Sequence, residues 1–175
     1  MSDVTLNDGQ QLEQAVAVLS ATTQLIDKSL SALKARTTES GRVVPARLDE
    51  HQLACYELSV SWSECTAAKF LMTHAQRLNS ESSASNGFTT QLANLFCAEA
   101  VSNTLNRLRT RVKDFGLSLE AISAIEAEPG AAAFLEQQLS AQNIAGIGQS
   151  VLDRDGDLGP DLLSEHHTMM RDTFR

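Results

Sequence analysis

Three aspartates at alternate positions form the part of the sequence that most resembles a metal site. Asp153, Asp155 and Asp157 match positions one, three and five of a calcium-binding EF-hand loop. That loop also needs glycine at position six for its sharp turn and glutamate at position twelve as a bidentate ligand. Counted from Asp153, those positions hold Leu158 and Ser164. We therefore interpret the run as an acidic linker rather than as a calcium site.

Three glutamates on predicted helices are candidates for a di-iron centre. Glu57, Glu64 and Glu99 lie near apolar stripes, and helical bundles can hold two iron ions with inward-pointing carboxylates. Such centres take a Glu-x-x-His pair from each of two helices, because one helix face then supplies both ligands. No Glu-x-x-His occurs in the chain. The three glutamates are better explained as polar edges of the stripes, or as partners of arginines.

A histidine and a cysteine are spaced for half of a zinc site. His51 and Cys55 stand four residues apart and share one helix face. A zinc site needs a second close pair, but Cys65, Cys97 and His74 occur singly. We expect an exposed histidine and core cysteines, with no metal bound.

Two other motifs are rejected. The Gly146–Gly148 stretch resembles a dinucleotide-binding loop, but Val151 occupies the third glycine position and no strand precedes it. His166 and His167 are adjacent, so they point in different directions on a helix. No cofactor-binding or catalytic residue is predicted within this chain.

One basic cluster stands out in an otherwise acidic chain: Arg107, Arg109, Arg111 and Lys113. Cations near the carboxyl end of a helix are favoured by the helix dipole, so a solvated face is the first interpretation. Contact with a phosphate-bearing ligand or an acidic partner is the alternative. The net charge of −8 disfavours nucleic acid and anionic membranes, which both attract positive charge.

The chain has the composition of a cytoplasmic protein. No apolar run approaches the roughly 20 residues that span a bilayer, and residues 1–4 have no signal-peptide character. Three cysteines in helical segments indicate reduced thiols rather than disulfides. Aromatic residues make up only 5% of the chain, which suits closely spaced helices.

These residues are positioned by two long helices between Leu48 and Phe115. Apolar residues recur there at steps of three, four and seven, which place them on one helical stripe. The stripe of the first helix is predicted to contain Leu53, Val60, Ala67, Leu71, Ala75 and Leu78. That of the second contains Leu92, Leu95 or Phe96, Val101, Leu105, Leu108, Val112 and Phe115. Since residues 79–87 are a polar connector, the pair forms an antiparallel hairpin.

Capping residues and interruptions of the apolar pattern predict where the other helices begin and end. An earlier helix is predicted from Asn7 to about Arg36, with an apolar face of Leu12, Val16, Leu19, Ile26, Leu30 and Leu33. Residues 37–47 interrupt the pattern, and residues 42–44 look extended. The sequence predicts N-caps at Asp49, at Thr89 or Thr90, and at Ser118. Gly116 is predicted as the C′ residue of its helix.

The predicted fold class is all-α: an up-and-down antiparallel four-helix bundle with a kinked or split fourth helix and an extra C-terminal helix. Residues 118–142, broken at Pro129, form the fourth column. The predicted domains are a bundle over 1–145, a flexible acidic linker over 146–163, and the start of a catalytic domain over 164–175. The last helix ends in mid-pattern, so we expect a continuation. A spare apolar stripe containing Trp62 and Phe70 favours a homodimer.

Three segments resemble parts of one known enzyme family. Residues 95–101, Leu-Phe-Cys-Ala-Glu-Ala-Val, look like a helix in the C-terminal bundle of the acyl-CoA dehydrogenases, and residues 49–58 resemble the helix before it. Residues 165–175 are similar to the opening helix of the family's catalytic unit. A bundle placed before a catalytic unit is the arrangement of N-terminally extended members of the (2S)-methylsuccinyl-CoA dehydrogenase type.

The chain departs from this family at its functional positions. The family's bundle helix leads into a Gly-Gly turn that contacts flavin or substrate, whereas residues 111–117 lack that turn. Glu99 aligns with a bundle glutamate that is not the catalytic base. The resemblance therefore implies a non-catalytic N-terminal domain, inactive alone, of an FAD-dependent enzyme that dehydrogenates acyl-CoA thioesters. Its partner would be the catalytic domain of the same chain or a second subunit; the alternative is a free-standing interaction or regulatory module.

Overall fold

The computed structural model describes residues 8–81 and 87–155, together with residues 169 and 173. Those residues are predominantly helical, so the all-α prediction is confirmed. The helices are α1 (Asp8–Thr37), α2 (Pro45–Glu50), α3 (Gln52–Glu81), α4 (Gly87–Thr110), α5 (Leu119–Ala127), α6 (Pro129–Gln138) and α7 (Ala141–Asp153). A two-stranded antiparallel hairpin, β1 (Thr38–Glu39) and β2 (Arg42–Val43), joins α1 to α2. None of the described helices is long and apolar enough to cross a membrane.

The predicted helical hairpin is formed by α3 and α4. Asn79 near the end of α3 donates to Thr90 Oγ1 near the start of α4, at 3.1 Å. Farther along, Cys65 Sγ lies 3.5 Å from Thr104 Oγ1. Residue numbers fall along α3 as they rise along α4, so the two helices are antiparallel.

Helix α1 runs parallel to α4 and completes a group of three long helices. At one end, Cys97 Sγ contacts the carbonyl oxygen of Ala15 at 3.6 Å. At the other end, Arg36 donates to the carbonyl oxygens of Lys113 and Asp114 at 2.6 and 2.7 Å. These contacts fix α1 along its full length against α4, and α1 also packs on α3.

The buried seam of α3 differs from the predicted stripe. Leu53 is 52% exposed, Ala67 is exposed, and Val60 is only half-buried. The buried residues of α3 recur every three or four positions. They are Ala54, Leu58, Ser61, Cys65, Ala68, Met72, Ala75 and Leu78. Small side chains let the neighbouring helices approach closely, so Ala, Ser and Cys occupy positions that periodicity of large residues does not reveal.

The stripes of α1 and α4 are partly as predicted. In α1, Leu19, Ile26 and Leu33 are buried, but Val16 and Leu30 are 47% and 53% exposed. In α4 and the turn after it, the buried members of the predicted stripe are Val101, Leu105, Leu108 and Phe115. The half-buried members are Leu92, Leu95, Phe96 and Val112.

Two predicted helix starts are wrong. Asp49 is not an N-cap, because the chain becomes helical four residues earlier at Pro45, the first residue of α2. Proline is tolerated at that position since the first helical N–H groups have no intrahelical partner. Likewise, α4 begins at Gly87, so Thr89 lies inside its first turn and is buried there.

The predicted second helix of the hairpin extended to Phe115, but α4 ends at Thr110 and residues 111–116 form turns, which Gly116 closes as the predicted C′ residue. Gly116 has φ +63°, and the Leu117 N–H donates to the Val112 carbonyl at 2.9 Å. The Gly116 N–H donates to the Lys113 carbonyl at 3.3 Å, so the two bonds form a Schellman motif. A Cβ at Gly116 would lie 2.8 Å from Ala32 Cβ on α1. Glycine therefore serves both the turn and the contact between helices.

Helices α5 and α6 lie against α1 and α4. Ser118 caps α5 as predicted, its Oγ accepting from the Ala121 N–H at 3.2 Å. Glu128 caps α6 by accepting from the Ala131 N–H at 2.6 Å. Phe134 is fully buried and anchors α6 in the core.

The expected flexible linker does not begin at residue 146, because residues 146–153 continue α7. Ser140 caps this helix through the Asn143 N–H at 3.2 Å, and Ile147 is buried against the rest of the molecule. The cap and the buried isoleucine outweigh the low helix propensity of two glycines. The remaining linker residues from 156 and the predicted helix from Ser164 lie outside the described residues, apart from 169 and 173.

Candidate functional site

The predicted metal-ligand candidates do not converge. His51 is half-buried at the junction of α2 and α3, and Cys55 is half-buried one turn later. Cys65 and Cys97 are buried in the core. In the part of the chain that the structure describes, no group of three His, Cys, Asp or Glu side chains is arranged to hold a metal.

Buried thiols in the core are held in the protonated form. Burial raises the pKa of the Cys97 thiol to about 12, and burial also raises the pKa of Cys65. Thiolates are the nucleophilic form of cysteine, so neither group is set up to react.

The first residues of the acidic run lie at the end of a helix. Asp153 is the last residue of α7 and accepts a hydrogen bond from Gln149 Nε2 at 2.7 Å. Asp155 follows in a left-handed conformation with φ +49°, and Asp157 lies outside the described residues. Gly146 and Gly148 lie within α7, where they do not form a loop.

The three arginines of the basic cluster are paired with carboxylates from neighbouring helices. Arg107 binds Glu64 through two hydrogen bonds, and Arg111 Nε donates to Glu57 at 2.8 Å. Arg109 pairs with Glu126 of α5. The suggestion that glutamates serve as arginine partners is correct for Glu57 and Glu64, whereas Glu99 is exposed on α4.

These pairs change the interpretation of the cluster. The Arg107 and Glu64 side chains are 27% and 28% exposed, so both are partly withdrawn from water. The hydrogen bonds to Glu64 raise the pKa of the Arg107 guanidinium above its ordinary value. Since the guanidinium groups already bind carboxylates, the arginines of the cluster hold helices together and offer little free charge to a phosphate.

Aromatic residues are unevenly exposed, and α3 carries the exposed ones. Tyr56 and Phe70 are 67% and 72% exposed. They are 14 positions apart, close to a whole number of helical turns, so both lie on the outer face of α3, away from the buried seam. Trp62 is 53% exposed, but its ring lies at the edge of α3 that meets α1. By contrast, Phe88, Phe115 and Phe134 are buried. The sequence predicted one spare stripe containing Trp62 and Phe70; both side chains are exposed, but only Phe70 lies on the outer face.

An apolar pocket of about 760 Å³ lies between α1, the β-hairpin and α3. Its floor consists of the buried side chains of Ile26, Leu33 and Leu58. Trp62 and Leu30, each 53% exposed, face it from α3 and α1. Its size is typical of a small-molecule site. Sequence reasoning missed this pocket, because its walls come from three separate segments that no motif connects.

Comparison with known proteins adds no assignment. The chain matches no family model and no curated protein sequence.

Proposed function

We propose that the chain is a non-catalytic helical packing domain, the N-terminal extension of an FAD-dependent acyl-CoA dehydrogenase of the (2S)-methylsuccinyl-CoA dehydrogenase type. The observation that carries the packing role is the exposure of Tyr56 and Phe70 on the outer face of α3. Tyr and Phe are both enriched in protein interfaces, and Tyr is among the residue types that contribute most binding energy there. The chain has few aromatic residues, and two that are exposed to solvent do not stabilise its core.

The proposed parent enzyme rests on the sequence resemblance of residues 49–58 and 95–101. The second of these segments lies within α4, where Cys97, Ala98 and Val101 are fully buried. Residues 95–101 therefore contribute to the core of this domain, which is compatible with the proposed match to a helix of the acyl-CoA dehydrogenase bundle. We propose that α1, α3, α4 and the α5–α6 pair are the four columns of an up-and-down bundle of that type.

The proposal assigns the chemistry to other parts of the parent enzyme. The catalytic unit would bind FAD and dehydrogenate an acyl-CoA thioester, in the cytoplasm. The outer face of α3 would pack on that catalytic unit or on a second subunit, with a homodimer as the expected assembly. The described residues offer paired arginines and buried thiols, which suit a structural role.

Size-exclusion chromatography with light scattering tests the packing face. Phe70→Asp places a charge on the proposed interface, so we expect the wild-type dimer, twice 18.9 kDa, to dissociate. Asn103→Asp introduces the same charge at an exposed position of α4 and should leave the dimer intact. A dimer that survives Phe70→Asp would contradict the proposed face.

Flavin content tests the non-catalytic role. The purified 175-residue chain should be colourless, because FAD is assigned to the catalytic unit. Stoichiometric yellow flavin after purification would contradict the proposal. A colourless chain whose native form has no catalytic unit attached would favour the free-standing interaction module instead.

A further inference from the structure

We infer that the pocket between α1, the β-hairpin and α3 binds an amphipathic carboxylate, with its hydrocarbon chain inside and its anionic head at Lys34. This inference concerns a different surface from the outer face of α3 and does not depend on the proposed function. The shape, the hydrogen-bonding state and the charge of the pocket wall carry it.

The wall is apolar over most of its area. Ile26, Leu33 and Leu58 form the floor, and Val43 of the hairpin and Leu48 of α2 add further apolar surface. Val43 and Leu48 are 58% and 38% exposed, so this surface meets water when the pocket is unoccupied. Removing apolar surface from water is favourable in proportion to the area covered, which favours a hydrocarbon occupant.

The hydroxyl groups of the wall have no proton to offer. Thr37 Oγ1 donates to the Leu33 carbonyl at 2.9 Å, and Thr38 Oγ1 donates to the Lys34 carbonyl at 2.6 Å. On α3, the Ser59 and Ser63 hydroxyls donate to the carbonyls four residues before them, at 2.8 and 2.9 Å. A carboxylate deep in the pocket would therefore meet hydroxyl oxygens without their protons, which disfavours a buried anionic head.

The positive charge of the lining is at its edge. Lys34 is the charged residue among those that line the pocket, and it is exposed one helical turn after Leu30. Arg47, Arg107, Arg109 and Arg111 form ion pairs, whereas Lys34 takes part in no ion pair among the described residues. An anionic head therefore finds a free ammonium at the rim, directly beside the apolar space.

The single tryptophan of the chain gives a direct measurement. Trp62 lines the pocket and is 53% exposed, so an occupant changes its fluorescence without any added probe. Decanoate is the test ligand, and decanol and decyltrimethylammonium match its chain with a neutral and a cationic head. We expect saturable changes for all three, with decanoate binding tightest and decyltrimethylammonium weakest.

Substitutions separate the head from the chain. Lys34→Gln should weaken decanoate binding by about fivefold, the size of one exposed ionic contact, and leave decanol binding unchanged. Lys28→Gln removes an exposed lysine of α1 outside the lining and should change neither. Ser63→Phe fills the pocket and should abolish binding of all three ligands, while circular dichroism shows the helices intact.

Three results would overturn the inference. One is the absence of a saturable Trp62 response below the concentration at which decanoate forms micelles. Another is equal decanoate affinity in Lys34→Gln and the wild type. The third is Trp62 fluorescence that changes with protein concentration but not with ligand concentration. Such a result would indicate that a second copy of the chain covers the pocket.

Discussion

Arg107 binds Glu64 with both arms of its guanidinium, Nη1 to Oε2 at 2.6 Å and Nη2 to Oε1 at 3.0 Å. The pair joins α4 to α3 across 43 residues of sequence, and Arg111 joins Glu57 one turn farther along. Two-armed pairs are stronger and more directional than single contacts, because both hydrogen bonds are charge-assisted. These pairs set the register of the helical hairpin beside the small-residue seam.

Glu64→Gln should destabilise the protein. The glutamine leaves the partly buried Arg107 without its counter-charge, and we expect a loss of about 1–2 kcal/mol in the free energy of unfolding. Urea unfolding followed by circular dichroism measures this. Glu99→Gln, at an exposed position of α4, is the matched control and should change stability by less than about 0.5 kcal/mol. Equal stability of the two variants would show that the pair contributes nothing.

Neighbouring alanines test the register of α3. Ala68 is fully buried in the seam, so Ala68→Leu should cost about 1–3 kcal/mol through overpacking. Ala67 is exposed, and Ala67→Leu should be nearly neutral. Thermal unfolding of both variants measures the difference. A larger loss of stability in Ala67→Leu than in Ala68→Leu would instead support the stripe that the sequence predicted through Leu53, Val60 and Ala67.

Glycines in two settings should respond in opposite directions. Gly116→Ala forces a side chain into a left-handed conformation and against Ala32, so we expect a loss of about 1–3 kcal/mol. Gly146→Ala lies within α7 with open space around it and should stabilise by about 0.5–1 kcal/mol. Chemical denaturation of each variant provides the test. A neutral Gly116→Ala would contradict the Schellman motif and the close approach of α1.

Stability should fall in alkaline solution because of the buried thiols. The pKa of Cys97 is about 12 in the folded protein against an ordinary value of 9, so the unfolded chain loses its proton first. The contribution of Cys97 is therefore complete below pH 9 and is lost as pH rises toward 12, by up to about 1.4 kcal/mol per pH unit. Cys97→Ala should flatten this dependence in denaturation curves measured from pH 8 to pH 11. An unchanged slope in Cys97→Ala would assign the effect to other groups.

Sequence periodicity predicted the helices better than it predicted their contacts. Ser118 and Gly116 were identified because caps act through local hydrogen bonds, which sequence spacing reveals. Ala54 and Ala68 were missed as seam residues, since an alanine is equally compatible with a core and a surface position. Leu53, a large apolar residue, is half-exposed and gave a misleading signal.

The candidate site was predicted least well, for a physical reason. Lys34 and Trp62 line one pocket only because α1 and α3 pack side by side and the β-hairpin adds a further wall. Neither residue has a neighbour in sequence that marks a binding site. The pairing of Arg107 with Glu64 likewise depends on the register of two helices, which no local pattern encodes.

The size and composition of the native protein test the central proposal most directly. An antibody against residues 8–155 can recover the protein from a lysate of the source organism, after which its mass, peptides and flavin are measured. The proposal predicts a polypeptide far heavier than 18.9 kDa that carries an acyl-CoA dehydrogenase catalytic unit and bound FAD. A native protein of 18.9 kDa without flavin would contradict it and leave the chain as an interaction module.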